Sequence, residues 1–332
     1  MSEQSAEANK QKNVSSKTSG EDTTVKQKEP KKELSFSDYI DRLSEDIENS
    51  RQDSAKNTIS ELIVHELKTE EWQELFSKYH VLIQYDGTTM RRIDADNIYK
   101  AIKKDVSGKT KDILLVLYSF GGDIASAYLI SKLCREYTKR KFVVAVPRRA
   151  KSAATLICCG ADEIHMGSLS ELGPLDPQFH GLPALGLKNT IRQIAETVSE
   201  FPKSSNLFSE YLAKTIAPID LGYYDRIVDS ASQYARRLLL KRCIKPKEVD
   251  IQKLTTRLVY EYSDHGFVID KSEATEIFGK DVVKIDSKEY AFANQVYTRL
   301  RFIERFCDPK FKFYFIGNLD TSNSVGLLLP ES

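Results

Sequence analysis

The sequence predicts an α/β fold built on a parallel sheet, with helical additions at its N- and C-terminal sides. Two apolar runs of strand length, Ile113-Leu114-Leu115-Val116-Leu117-Tyr118 and Phe142-Val143-Val144-Ala145-Val146, lack polar alternation, as expected of strands covered on both faces. Between them Ile124, Ala127, Ile130, Cys134 and Tyr137 recur at spacings of three and four, the mark of a helix with one apolar stripe. Strand, helix, strand in that order implies crossover connections and parallel pairing.

The remaining segments follow from composition and period. Residues 1–34 are mostly Lys, Glu, Ser, Thr, Gln and Asn, and the first aromatic residue is Phe36, so a disordered tail is expected. Over 35–79, Ile59, Leu62, Ile63 and Leu67 outline a helical face, and Trp72, Leu75 and Phe76 continue it after a polar break. From His80 the pattern changes: Val81-Leu82-Ile83 is a short apolar run, Ile93 to Ile102 reads as a helix, and the core is expected to occupy 80–185. Over 186–300 the chain reads as helical. Ile227, Ala231, Tyr234 and Leu238 form one stripe, and Ile251, Leu254, Leu258 and Tyr262 another, both expected to complete the core or an oligomer contact. Asp270-Lys271-Ser272-Glu273 has the form of a capping box, and Gly279 is placed to end that helix. Residues 301–332 are left as a C-terminal extension.

Composition narrows the function classes. The 332 residues, 41% hydrophobic and 29% charged, can bury a real core. Lys and Arg number 49 against 48 Asp and Glu, and the net charge of +1 gives no global bias toward nucleic acid or an anionic membrane. The longest uncharged apolar stretches are about half of the roughly 20 residues a membrane-crossing helix needs. The amino terminus lacks the basic and apolar order of a secretory signal, and a soluble, cytoplasmic protein is expected. Five cysteines without a C-x-x-C pair suggest neither a disulfide framework nor a zinc site, and the adjacent Cys158 and Cys159 read as core filling.

Three segments could carry chemistry. Ser119-Phe120-Gly121-Gly122-Asp123 links a buried strand to a helix; its glycines let backbone approach a ligand, and amides at the helix start can face an oxyanion. The same pair also reads as a plain structural turn. Ser152 in Ala150-Lys151-Ser152-Ala153-Ala154-Thr155 follows a strand and opens an apolar helix, a position that suits a nucleophile or an ordinary helix cap. Asp176 in Gly173-Pro174-Leu175-Asp176-Pro177-Gln178 sits between apolar neighbours, which fits a partnered carboxylate or a turn residue.

In order, G-G, A-K-S-A-A-T-L-I, A-D-E-I-H-M and S-E-L-G-P-L-D-P-Q resemble the serine dehydrogenase proteinase family, distant relatives of the Clp protease proteolytic subunit and signal peptide peptidase A. The resemblance runs from about residue 80 to 185, and more weakly to about 280. It implies the Clp/crotonase fold, a spiral of β-β-α units commonly assembled into oligomers. It also implies that Ser152 is the nucleophile and that Gly121, Gly122 and Ala153 form the oxyanion hole. The family order Ser, Asp, His further implies Asp176 as orienting carboxylate and His265, in Ser263-Asp264-His265-Gly266-Phe267, as general base. His265 also reads as a loop residue capping the preceding helix. His180 is the second candidate base; His165 reads as packed in a strand, and His65 and His80 lie outside the motifs. Lys151 diverges from Ser152 by roughly 100° if both are helical, an awkward position for a base, and a Ser/Lys mechanism would need another lysine.

The sequence departs from the family at Phe120, where proline is common, and at Ala153-Ala154, where glycines are common. Both changes add bulk beside the oxyanion site, and Arg148, Arg149 and Lys151 form either a solvated rim or a guide for acidic substrate. The expectation is a serine peptidase-like hydrolase acting on a peptide or protein, with no metal or organic cofactor, as a homo-oligomer. The alternatives are a catalytically weakened or inactive binding and assembly module on the same fold, and crotonase-like acyl-thioester chemistry, against which Ser152 argues.

Overall fold

Strands form where branched and aliphatic side chains run without interruption, and helices cover both faces of the resulting sheet. The computed structural model describes residues 34–105, 110–176, 178–179, 182–215, 218–242, 248–307, 312–319 and 325–328. Of the tail expected over 1–34, residues 1–33 lie outside the described residues, as do His180 and Cys243. The strands are β1 (Tyr79–Asp86), β2 (Asp112–Ser119), β3 (Phe142–Val146), β4 (Arg149–Ala150), β5 (Glu163–Met166), β6 (Glu171–Leu172), β7 (Gln178–Phe179), β8 (Leu182–Pro183), β9 (Val283–Ile285), β10 (Lys312–Asn318) and β11 (Val325–Leu328). The α-helices are α1 (Phe36–Glu48), α2 (Gln52–Leu67), α3 (Gln73–Lys78), α4 (Arg92–Asp105), α5 (Ile124–Tyr137), α6 (Ala153–Cys159), α7 (Ala184–Glu200), α8 (Ser205–Thr215), α9 (Pro218–Leu239), α10 (Glu248–Tyr260), α11 (Lys271–Phe278) and α12 (Lys288–Phe306).

The main sheet runs β11-β10-β1-β2-β3-β5-β9, with β4 pairing β2 and β6 beside it. From β1 through β9 the pairing is parallel, as the uninterrupted apolar runs require, while β10 returns antiparallel to β1. This mixed α/β architecture agrees with the Clp/crotonase fold the resemblance implies. The segment read as a C-terminal extension supplies β10, whose Phe315 lies opposite Tyr85, so the sheet draws on strands beyond 80–185. Residues Ser35–Ser332 form one compact unit.

Period-2 alternation in β2 divides the core. Leu115 and Leu117 join Leu82, Ile130, Val144 and Ile164 on one face, under α4, α5, α6, α9, α10 and α11; Leu114, Val116 and Tyr118 join Ile63, Trp72, Phe292 and Val296 on the other, under α1 to α3 and α12. Each such aliphatic side chain, fully removed from water, contributes about 1.5–3 kcal/mol. Cys158 and Cys159 are fully buried in α6, and burial raises both thiol pKa values, that of Cys159 to about 12, in keeping with core filling. Asp270 caps α11 by accepting from the Ser272 and Glu273 amides, but the reciprocal half of the expected box is missing: Glu273 turns to Arg257 and Tyr262. Among the described residues no helix is long and apolar enough to cross a membrane.

Parallel strands aim their carboxyl ends at one edge of the fold, and loops beyond that edge are where ligands bind in open α/β sheets. There β2 ends at Ser119 and β4 at Ala150, directly paired, so the two turns that follow begin side by side.

Candidate active site

The turn after β2 is held mainly by its backbone. Gly121 and Gly122 take φ of 98° and 139°, outside the range of ordinary L-residues. Gly121 O accepts from Met90 N at 2.7 Å and Asp123 N donates to Met90 O at 2.9 Å, which fixes the turn against the loop after β1. A Cβ on Gly122 would lie 2.5 Å from both Met90 N and O. Asp123 then caps α5 by accepting from Ser126 N.

Ser152 follows Lys151 in the two-residue turn between β4 and α6, with φ 49° and ψ −117°, a conformation that costs a non-glycine residue about 1–3 kcal/mol. A strained serine at a sharp strand-to-helix turn is the geometry that presents a nucleophile. The turn is locked beneath by Thr155, whose hydroxyl donates to Ala150 O at 2.6 Å and accepts from Gly173 N at 3.1 Å. The alternative reading of Ser152 as a helix cap is not met: its side chain makes no capping hydrogen bond among the described residues.

The two turns abut. A Cβ on Gly121 would lie 2.7 Å from Lys151 O, 3.0 Å from Ser152 Cβ and 3.1 Å from Ala153 N. Only glycine permits that approach. The expectation that both glycines offer amides needs one correction, because Gly121 N–H donates to Ser119 Oγ at 3.1 Å. Its contribution is closeness. The amides of Gly122 and Ala153 have no hydrogen-bond partner among the described residues. Both residues line, with Ser152 and His265, one cavity of about 500 Å³.

Asp176 and His265 arrive from distant parts of the chain. Leu175 N donates to Leu258 O at 2.8 Å, joining the Asp176 segment to α10, and Leu172 and Ile269 exchange backbone bonds of 2.9 and 3.1 Å, joining the histidine loop to β6. Asp176 Oδ2 then lies 3.6 Å from His265 Nδ1, with Asp176 7% exposed. That is an ion-pair distance and too long for a hydrogen bond. Asp176 Oδ1 and His265 Nδ1 have no hydrogen-bond partner among the described residues.

The basic residues are engaged. Arg149 Nε meets Glu171 at 2.6 Å while its guanidinium lies 5.3 Å above the Phe120 ring; Arg148 binds Asn294 at 2.6 Å and lies over Tyr297. Phe120 is thereby held as one wall of the cavity. Lys151 is buried, with its ammonium on Glu171 and backbone carbonyls. His165 is buried in β5 as expected, with Nδ1 2.6 Å from Ser287 Oγ and Nε2 3.3 Å from Glu163. Among the described residues no group of three or more His, Cys, Asp or Glu could hold a metal ion.

Sequence reasoning missed several residues around the cavity. Thr88 and Thr89 line it from the loop after β1, which carries no motif, and Ile227, read as part of a packing stripe, lines it from α9. Ser119 gave a usable signal: a small polar residue closing an apolar strand just before the glycine pair.

Comparison with known proteins bears on the central segment. The chain is similar to two uncharacterized proteins of Methanocaldococcus jannaschii: MJ0137, 25% identical over 185 residues, 56% of this chain and 62% of that protein, and MJ1495, 31% identical over 107 residues, 32% of this chain and 36% of that protein. The chain thus spans about three fifths of the length of the first and about a third of the second. His265 lies outside the matched family segment, so its place beside Asp176 rests on geometry. Over residues 85–211, which hold Gly121, Gly122, Ser152, Ala153 and Asp176, the chain matches the family of ClpP-like SDH-type serine proteinases.

Proposed function

We propose that this protein is a serine peptidase-like hydrolase that cleaves peptide bonds through Ser152. The observation that carries the reading is the contact between the two turns, on one cavity: a strained serine against a glycine whose neighbour's amide has no hydrogen-bond partner among the described residues. Ser152 Oγ attacks the carbonyl carbon as its proton passes to His265. Because Nδ1 faces Asp176, the accepting atom is Nε2. The Gly122 and Ala153 amides donate to the oxyanion, a type of contact whose loss costs roughly 10²–10³ in rate. Collapse of the tetrahedral intermediate expels the amine with the proton from His265 and leaves an acyl-Ser152 ester. Water then attacks the ester with His265 again as base, and Ser152 is regenerated.

The reading extends to a peptide or protein substrate, a homo-oligomeric assembly and a cytoplasmic home; the family match supports the first two, and the buried free thiols Cys134, Cys158, Cys159 and Cys307 suit the third. One observation favours the second reading, an inactive binding and assembly module: the 3.6 Å between Asp176 and His265 leaves the base without a hydrogen-bonded orienter. Catalytic contacts are often loose before substrate binds, which keeps the hydrolase reading ahead. A fluorophosphonate probe decides. Labelling of the wild type that disappears in Ser152→Ala supports the hydrolase; an intact wild type that takes up no probe and cuts nothing in a peptide library supports the module.

A further inference from the structure

We infer that Lys151 is a positioning residue whose buried ammonium holds the histidine loop over Ser152; the inference rests on the hydrolase reading. Its Nζ meets four acceptors: Phe267 O at 3.0 Å, Leu172 O at 3.2 Å, Glu171 Oε2 at 3.2 Å and Gly266 O at 3.5 Å. Two of them, Gly266 and Phe267, directly follow His265 in the chain. A buried cation is tolerated only when paired and hydrogen bonded, and Glu171 supplies the opposite charge. Glu171 is itself fixed by Arg149.

The backbone of the same residue serves the other half of the site. Lys151 N donates to Ser119 O at 3.0 Å, and Ser119 Oγ accepts from Gly121 N, so the oxyanion turn is registered against it. Lys151 O accepts from Ala154 N at 2.8 Å, closing the turn that carries Ser152. One residue thus links the nucleophile by covalent bonds, the glycine turn by its amide and the base by its ammonium. The histidine lies on an irregular stretch between Tyr260 and Lys271, where the Leu172 and Ile269 pair lies four residues beyond it, so the ammonium is the nearer anchor. Nζ donates to three backbone carbonyls and pairs with the Glu171 carboxylate, none of them on Ser152, and Lys151 is therefore not the base of a Ser/Lys mechanism.

Lys151→Met tests the assignment, read by the rate of fluorophosphonate labelling across pH and by amide hydrogen exchange. The expected result is labelling slowed about 10–100-fold with its pH midpoint unchanged, and exchange over residues 265–268 at least about tenfold faster while β1 to β3 keep their protection. Labelling unchanged, or exchange unchanged over 265–268, overturns the inference. So does labelling that falls to the level of Ser152→Ala while His265→Ala still reacts, which would make Lys151 the base. If Lys151→Met does not fold, Gly173→Ala serves instead: the new methyl would lie 2.7 Å from Lys151 Cδ and displace the stem while keeping the charge. It is expected to slow labelling about tenfold with the same loosening of 265–268, and the absence of that loosening overturns the inference. A wild type that takes no probe sinks the hydrolase reading and this inference with it, whereas a reactive wild type beside an unaffected Lys151→Met sinks the inference alone.

Discussion

The two halves of the candidate site are built differently. The half that holds Gly121, Gly122 and Ser152 is fixed by main-chain hydrogen bonds, by the Ser119 and Thr155 hydroxyls and by contacts that admit no Cβ, within segments that end adjacent strands of one sheet. The half that holds Asp176 and His265 is assembled from loops, closes on a 3.6 Å contact between side chains, and is anchored to the first half through the Lys151 ammonium. Backbone in a parallel sheet has two discrete arrangements, bonded or broken, whereas a loop on a side-chain tether has many. On the proposed hydrolase reading, the first half is preorganised for an oxyanion, and the second is the adjustable part that substrate would tighten.

If that contrast is right, damage to the first half costs more. Gly121→Ala forces a methyl to 2.7 Å from the Lys151 carbonyl at a φ of 98°, so the turn must leave Ser152; labelling is expected to fall by roughly 10³-fold, near the upper end for loss of an oxyanion donor. His265→Ala is expected to cost about 10²-fold, the lower end of what a general base provides, because its tether is already loose. Asp176→Asn is expected to cost about tenfold, equivalent to ~1.4 kcal/mol, since no hydrogen bond to His265 is present to be lost. Rates of fluorophosphonate labelling for the three variants give the order directly. Should Asp176→Asn prove the most damaging, the second half is the rigid one and the contrast is reversed.

The first half left a local trace in the sequence, although its roles were implied only by the resemblance. A glycine pair after Ile113–Tyr118, and a serine among small residues after Phe142–Val146, are each fixed by chain neighbours, and the strands themselves follow from apolar runs. Of the second half, Asp176 stood out locally as a carboxylate between apolar neighbours, but its pairing with His265 was reached only through resemblance, since nothing local in either residue reports that α10 and β6 will bring their loops together. The same limit applies to the C-terminal strand: Lys312–Asn318 pairs with β1 across more than half the chain, and such pairing leaves no periodic trace in either partner. Lys151 shows a third kind of gap. A lysine beside Ser152 reads as surface charge, and its burial depends on four acceptors contributed by two other segments. The Gly121 amide was misjudged for a similar reason, as its bond to Ser119 Oγ depends on a rotamer.

The smallest expected effect on reactivity comes from the opposite end of the sheet. Glu163 begins β5, level with Val143, at the amino ends of the parallel strands and away from the turns that follow β2 and β4. It accepts from Lys141 Nζ at 2.5 Å and lies 3.3 Å from His165 Nε2. The His165 contact first, and then the Lys141 hydrogen bond and charge, hold its carboxyl down to about 2 against the opposing effect of burial. A carboxylate whose folded pKa lies below its unfolded value of about 4.3 stabilises the fold above that value and loses the contribution as pH falls toward 2. Glu163→Gln is therefore expected to lower the thermal midpoint at pH 7, with the deficit shrinking between about pH 4.5 and 2. Labelling at pH 7 is expected to match the wild type. A deficit that stays constant down to pH 2 would mean the pairing contributes nothing, and slowed labelling at pH 7 would mean the two ends of the sheet are coupled, so that the division into a rigid half and an adjustable half would have to include the strands beneath both.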